Sequence, residues 1–202
     1  MENTAQQTAF GLDRFGENKT IPSLLSEEIL LALSYFPDLQ AVHIDFELHA
    51  NIRKSVMLAQ PRPGSLFRRA DRRRYVIKIS RFFQVDGPAI PIESVPKNVL
   101  IGWIGHELGH IMDYLQRSLP ALARYGIGYL FSRKYLMIAE RTADLYAISH
   151  GLGEKIVATK YFILDHAHLP ETYKDRIRRL YVSPKETLRL IEEHHARERS
   201  SE

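Results

Sequence analysis

The hydrophobic period of the chain changes near Asp86-Gly87-Pro88, and that change constrains the fold more than any other feature. Before it, apolar residues alternate. Val42, Ile44, Phe46 and Leu48 are separated by His43, Asp45, Glu47 and His49, the pattern of a half-buried strand. Tyr75 to Phe82, with its Val-Ile-Lys-Ile core, predicts another strand, and Ser55 to Ala59 a short further one. Pro61-Arg62-Pro63-Gly64 and the arginines after it connect those two. Ahead of them, Leu24, Leu25, Ile29, Leu30, Leu33 and Phe36 recur at helical spacing until Pro37. Beyond residue 88 the period is helical to the end. One helix should run from the Ser94-Pro96 start signal through Leu115, and a second from Ser132 to His150, closed by Gly151-Leu152-Gly153. Glu154 to Leu164 and Glu171 to Tyr181 predict two more. The capping box Ser183-Pro184-Lys185-Glu186 opens the last. Strands first and helices afterwards indicate an α+β fold, a small antiparallel or mixed sheet followed by a helical part. Residues 1–20 are polar and aperiodic and read as a flexible arm; 21–202 suit a single domain.

With no cysteine among 202 residues, disulfides, thiolate metal ligands and cysteine nucleophiles are all excluded. Any metal must be held by histidine and carboxylate. The N-terminal residues lack the basic start and apolar run of a signal peptide. The most apolar stretch, Ala121 to Phe131, is too short to span a bilayer and carries Arg124. The expectation is a soluble, cytoplasmic protein. Net charge is +4, with basic residues gathered at Arg68, Arg69, Arg72, Arg73 and Arg74 and again from Arg176 to Arg179. Such runs can attract phosphate or acidic peptides, but more often they are a solvated loop and a solvated helix face.

The segment Ile101-Gly102-Trp103-Ile104-Gly105-His106-Glu107-Leu108-Gly109-His110-Ile111 carries the chemistry. Residues four apart share a helix face, so His106 and His110 can present imidazoles to one zinc ion. Glu107 is turned by about 100° from His106, beside the metal, where it can act as general base toward zinc-bound water. A pair of histidines on an exposed helix face is the plainer reading of five such residues. Against it, Val99, Leu100, Trp103, Ile104 and Ile111 predict a buried helix, where unpaired polar groups are costly. Gly102, Gly105 and Gly109 form a stripe, each costing about 1 kcal/mol in a helix interior. Close approach of another backbone, or room for a substrate, would explain them.

Glu140-Arg141-Thr142-Ala143-Asp144 lies within the second long predicted helix, where Glu140 and Asp144 share a face. Glu140 can complete a His₂Glu site with an open fourth position. Asp144, one turn on, can accept a hydrogen bond from the far nitrogen of a ligand histidine. An acidic pair on a solvated face is the plainer alternative. Ala139, Ala143 and Ala147 argue for burial instead, and like charges at this spacing repel unless a cation lies between them.

His106-Glu107-Leu108-Gly109-His110 followed by Glu140-x-x-Ala143-Asp144 resembles the gluzincin peptidases, in particular the HtpX-like and CAAX-prenyl-protease-like group. The small soluble minigluzincins are nearer in size. The resemblance covers under a third of the chain. It implies a zincin-like fold, a Zn2+ cofactor and endopeptidase activity on extended peptide or protein substrates, held at an edge strand for which Tyr75 to Phe82 is the candidate. His168-Leu169-Pro170 before Arg176-Ile177-Arg178-Arg179 departs in spacing from the family's histidine-proline segment. His166, His168, Tyr161 and Tyr173 therefore stay open as transition-state-stabilising residues. A metzincin pattern is excluded by Asp113 and Gln116. His150 is an alternative third ligand, and the charged helix holding His194 and His195 reads as exposed. The competing function is a regulatory protein similar to the ImmA/IrrE group, which share the HELGH segment. It would keep the zinc site and use the basic loop on nucleic acid or an acidic partner. Intact Glu107 argues for catalysis, because a purely structural site has no use for a base.

Overall fold

The computed structural model describes residues 11–50, 52, 55–69, 72–83, 89–165 and 171–201. Its architecture is α+β. Four strands form a mixed sheet: β1 (Lys19–Thr20), β2 (His43–His49), β3 (Met57–Pro61) and β4 (Arg74–Ser80), in the order β1-β2-β4-β3. β1, β2 and β4 are mutually parallel, whereas β3 runs antiparallel to β4 with Ala59 opposite Ile77. β5 (Phe82–Phe83) and β6 (Ile90–Pro91) form a separate two-stranded pair.

This order corrects the expected edge strand. Tyr75 to Ser80 falls on β4, which is flanked on both sides, Phe82 starts β5, and the edges of the sheet are β1 and β3. The reason is that β3 pairs antiparallel along the far side of β4, while the near-continuous burial of Tyr75, Val76, Ile77, Ile79 and Ser80 shows both faces of β4 covered. The predicted arm also contributes to the sheet. From Gly11 onward it is described, and its end, β1, is fastened by Thr20 Oγ1 donating to Asp45 (2.8 Å). Lys19 Nζ donates to the carbonyls of Leu39 and Val42.

Helix α1 (Ser26–Ser34) precedes β2, after a 3₁₀ turn at Ser23–Leu25. Then come α2 (Lys97–Leu115), α3 (Leu119–Phe131), α4 (Arg133–Ala147), α5 (Gly153–Asp165), α6 (Glu171–Leu180) and α7 (Pro184–Ser201). Ser94 does not cap α2; it sits in a 3₁₀ turn and donates to Pro91 O, so the helix starts after Pro96. Ser132 does cap α4, accepting from Tyr135 N, and Ser183 accepts from Glu186 N at the start of α7. α4 ends in a π turn, where Gly151 adopts φ +81°, a conformation that favours glycine. α3 has no counterpart in the periodicity reading.

α2 is the axis of the molecule. Every residue from Val99 to Tyr114 is buried, and α2 packs against α1, β3, α4 and α5. Its glycines set how closely α4 and α5 approach. A Cβ at Gly102 would stand 2.3 Å from Lys155 O, and one at Gly109 would stand 2.3 Å from Ala143 O. Both distances are far inside van der Waals contact. Close backbone approach, one of the two explanations offered for the stripe, is what these positions display. Among the described residues no helix is long and apolar enough to cross a membrane.

Candidate metal centre

The Gly109–Ala143 contact brings α4 against the one face of α2 that carries His106 and His110. Ala143, fully buried, is the small residue that this approach demands. Glu140 and Asp144 lie one turn apart on the same face of α4 and so arrive beside the two imidazoles. His106, His110 and Glu140 offer ligand atoms that all lie within 4.8 Å of one another, and all three side chains are buried. Among the described residues this group can hold a metal ion.

The surrounding bonds orient each donor. His106 Nδ1 lies 2.9 Å from Asp144 Oδ1, and His106 Nε2 lies 3.0 Å from Glu140 Oε2. Tyr129 Oη donates to Glu140 Oε1 (2.8 Å), which leaves Oε2 facing the histidines. Lys160 Nζ donates to Asp144 Oδ2 (2.5 Å) and to Val182 O (2.7 Å). Asp144 is therefore held between His106 and Lys160.

The charges are tuned to match. Burial by itself would lower the His106 pKa, but Asp144 and Glu140 outweigh it and raise the imidazole to about 10. Burial likewise works against ionisation of Glu140, yet the two histidines hold it well below the usual carboxylate range. Asp144 follows the same balance, with Lys160 the stronger of its stabilising partners. His106 thus lies between two carboxylates, and a metal on Nε2 would take the place of a proton there while Nδ1–H donates to Asp144.

His110 tests whether a cation fits. Its Nε2 stands 3.6 Å from Glu140 Oε2, beyond hydrogen-bond reach, and its buried Nδ1 has no hydrogen-bond partner. One unsatisfied nitrogen on a buried imidazole is costly, and the other, Nε2, faces Glu140 Oε2 among the converging donors. Two imidazoles and a carboxylate form a donor set suited to zinc. The residues present fit a metal ion.

Glu107 stands outside this group. Its Oε2 accepts a hydrogen bond from Ala59 N on β3 (2.7 Å), and Tyr114 Oη donates to Ala59 O (3.2 Å). Burial raises its pKa above the ordinary glutamate value, although His110 and His106 pull the other way. The cleft over these residues is walled by Met57 and Ala59 of β3, by Trp103, and by Ile156, Ile163 and Ile177.

Other residues singled out in the sequence fall elsewhere. His150 stacks on Phe36 with ring centroids 4.4 Å apart, and its Nδ1 meets Tyr146 O, so it does not join the metal group. His195 is exposed and His194 partly so, with Glu198 3.3 Å from His194. Tyr161 is exposed and does not line the cleft. His166, His168 and the side chain of Tyr173 lie outside the described residues. Tyr129, Tyr181 and Lys160 line the cleft and were not foreseen. For two of them the signal was helical: half-buried Tyr129 follows buried Leu122 and Tyr125 on one stripe, and Lys160 lies with Ile156, Thr159 and Ile163 on another.

The five arginines of the expected basic loop do not share one exposed surface. Arg73 is buried and donates to Arg117 O; Arg68, Arg69, Arg72 and Arg74 are exposed, with Arg74 engaged by Asp45. No family model, curated protein or solved structure matches this chain.

Proposed function

We propose that the chain is a zinc-dependent endopeptidase of gluzincin type with a zincin-like fold, holding Zn2+ through His106, His110 and Glu140. The observation that carries this reading is the position of Glu107, next to the metal group yet not part of it. A carboxylate with a raised pKa, anchored on one oxygen by Ala59 N–H, has its other oxygen available to take and return a proton. Zinc bound there supplies a Lewis acid and lowers the pKa of water at its open position to about 7. Asp144 and Lys160 hold His106 in the orientation that directs Nε2 inward, and Tyr129 does the same for Glu140 Oε2. Met57, Ala59 and Pro61 alternate along the free edge of β3, where an extended peptide can add as a further strand. Pro61 has no N–H to offer, and Ala59 is already engaged on both sides. A peptide pairing at Ala59 therefore has to displace Glu107 from the Ala59 N–H, which frees both carboxylate oxygens as substrate arrives.

The same donor set can also hold iron(II), and metal analysis of the purified protein separates the two. The regulatory reading draws on the exposed Arg68, Arg69 and Arg72 alone, and it leaves Glu107 without a task. The test is Glu107→Gln. The variant should retain its metal and fold while losing cleavage of a peptide mixture by about 10² to 10⁴-fold. Equal cleavage by both proteins would overturn the assignment of the base. A metal-loaded wild type that cleaves nothing would favour the regulatory reading.

A further inference from the structure

α3 carries apolar residues on both of its faces. Leu122 and Tyr125 are buried against the domain, as an amphipathic helix requires. The opposite face should then be polar. Instead it presents Pro120, Ala123, Ile127, Leu130 and Phe131 to solvent at helical spacing, with Ile127 62%, Leu130 75% and Phe131 84% exposed. Beyond Ser132, Met137 and Ile138 on α4 are also exposed. Contiguous exposed apolar surface of this kind marks a docking site.

The charges around the stripe say what docks. From Tyr114 to Ala139 the chain has no Asp or Glu, while Arg124, Arg133 and Lys134 are exposed beside the apolar residues. Arg124 and Lys134 make no ion pair among the described residues, and Arg133 reaches only the carbonyl of Arg179. We propose that the outer face of α3 and the start of α4 form a docking surface for an anionic lipid bilayer. Ile127, Leu130 and Phe131 would enter the acyl boundary, while Arg124, Arg133 and Lys134 meet the headgroups. At 13 residues α3 is about 20 Å long, too short to span a bilayer, so it lies in the interface.

A second copy of the chain fits this face less well. A two-fold interface apposes a patch with itself, and here that would bring arginines and lysines together with no carboxylate on the face to receive them. Nucleic acid fits less well again, since the centre of the patch is three bare hydrocarbon side chains. Docking has a geometric consequence. Tyr129, which holds Glu140, lies on the inner side of the same helix, so the metal group would sit about one helix diameter, ~10 Å, from the lipid surface.

The full chain should float with vesicles of equimolar phosphatidylglycerol and phosphatidylcholine at low salt, and far less with phosphatidylcholine alone. Arg124→Ala and Lys134→Ala should each weaken partition about fivefold. Replacing Ile127, Leu130 and Phe131 together by serine should weaken it more than about tenfold, with an unchanged circular dichroism spectrum because all three are exposed. In F131W the new indole should shift its emission to the blue when anionic vesicles are added. Failure to float, or equal flotation of the serine variant, would overturn the proposal. So would a concentration-dependent dimer that Phe131→Ser splits, which would identify the face as a self-interface.

Discussion

Asp45 on β2 and Asp144 on α4 are both buried carboxylates held by cations, yet only Asp144 stands beside a group that could hold a metal ion. Asp45 accepts from Thr20 Oγ1 on one oxygen and from Arg62 Nε on the other (2.6 Å), with Arg74 alongside. Arg62 also pairs with Glu47. That cluster is complete with protein groups alone, and its two arginines are partly exposed. Asp144 stands beside Glu140, His106 and His110, where three donor atoms converge and His110 has no hydrogen-bond partner on Nδ1. Both clusters shift pKa values, so a shifted pKa does not tell them apart. Convergence of three donor atoms within 4.8 Å does, because that is the arrangement that could hold a metal ion.

The sharpest way to break the contrast is to change the distance between α2 and α4. Gly109→Ala puts a methyl 2.3 Å from Ala143 O, where no flexible side chain can yield. We expect a loss of about 3 kcal/mol in denaturant unfolding, at the upper end for overpacking, together with loss of bound metal. Unaltered metal content would mean that the helices can part without dispersing the donors. Gly105 is the internal control: a Cβ there meets only the end of the Leu152 side chain, so Gly105→Ala should cost less.

Whether Asp144 tunes the site or merely fills space is a smaller question. Asp144→Asn keeps the shape and one acceptor for His106, but removes the charge that balances Lys160. Metal affinity, measured by competition with a chelating dye, should fall about 10–100-fold, whereas Glu140→Ala should lose the metal almost entirely. If the two variants proved equal, His106 would need no orienting partner and the distinction between ligand and orienter would fail.

The parts of this site that the sequence discloses are those written at helical spacing. His106 and His110, or Glu140 and Asp144, share a face because four residues make about one turn, whatever the rest of the chain does. The capping serines 132 and 183 are local in the same sense. Strand order is not local. Nothing in the alternation of Tyr75 to Ser80 says that β3 will add on its far side and take the free edge. Nor does the arginine run reveal that Arg73 turns inward to Arg117 O while its neighbours face solvent. α3 escaped because its periodicity is blurred: with apolar residues on both faces, Pro120 at its start and Gly126 and Gly128 within, it lacks a clean stripe.

The smallest effect, and the one that isolates the sheet cluster, should come from Asp45→Asn. Burial would raise the Asp45 pKa, but Thr20, Arg62 and Arg74 together hold it below the ordinary value. A carboxyl whose pKa is depressed on folding stabilises the folded state above its unfolded value, near 3.9, and loses that contribution as pH falls through the folded value. The variant should therefore be less stable than the wild type at neutral pH, by about 1 kcal/mol because the arginines are partly solvated. The two thermal unfolding curves should converge as the pH drops below about 3.9. Metal affinity should not change. On the proposed function, cleavage is a finer readout, since Arg62 follows directly on Pro61 and so fastens the end of the strand whose Ala59 N–H holds Glu107. A modest fall in cleavage with full metal content would place the connection between the clusters in β3. A fall in metal affinity would instead show that the two clusters are one electrostatic unit, and the contrast drawn between them would not stand.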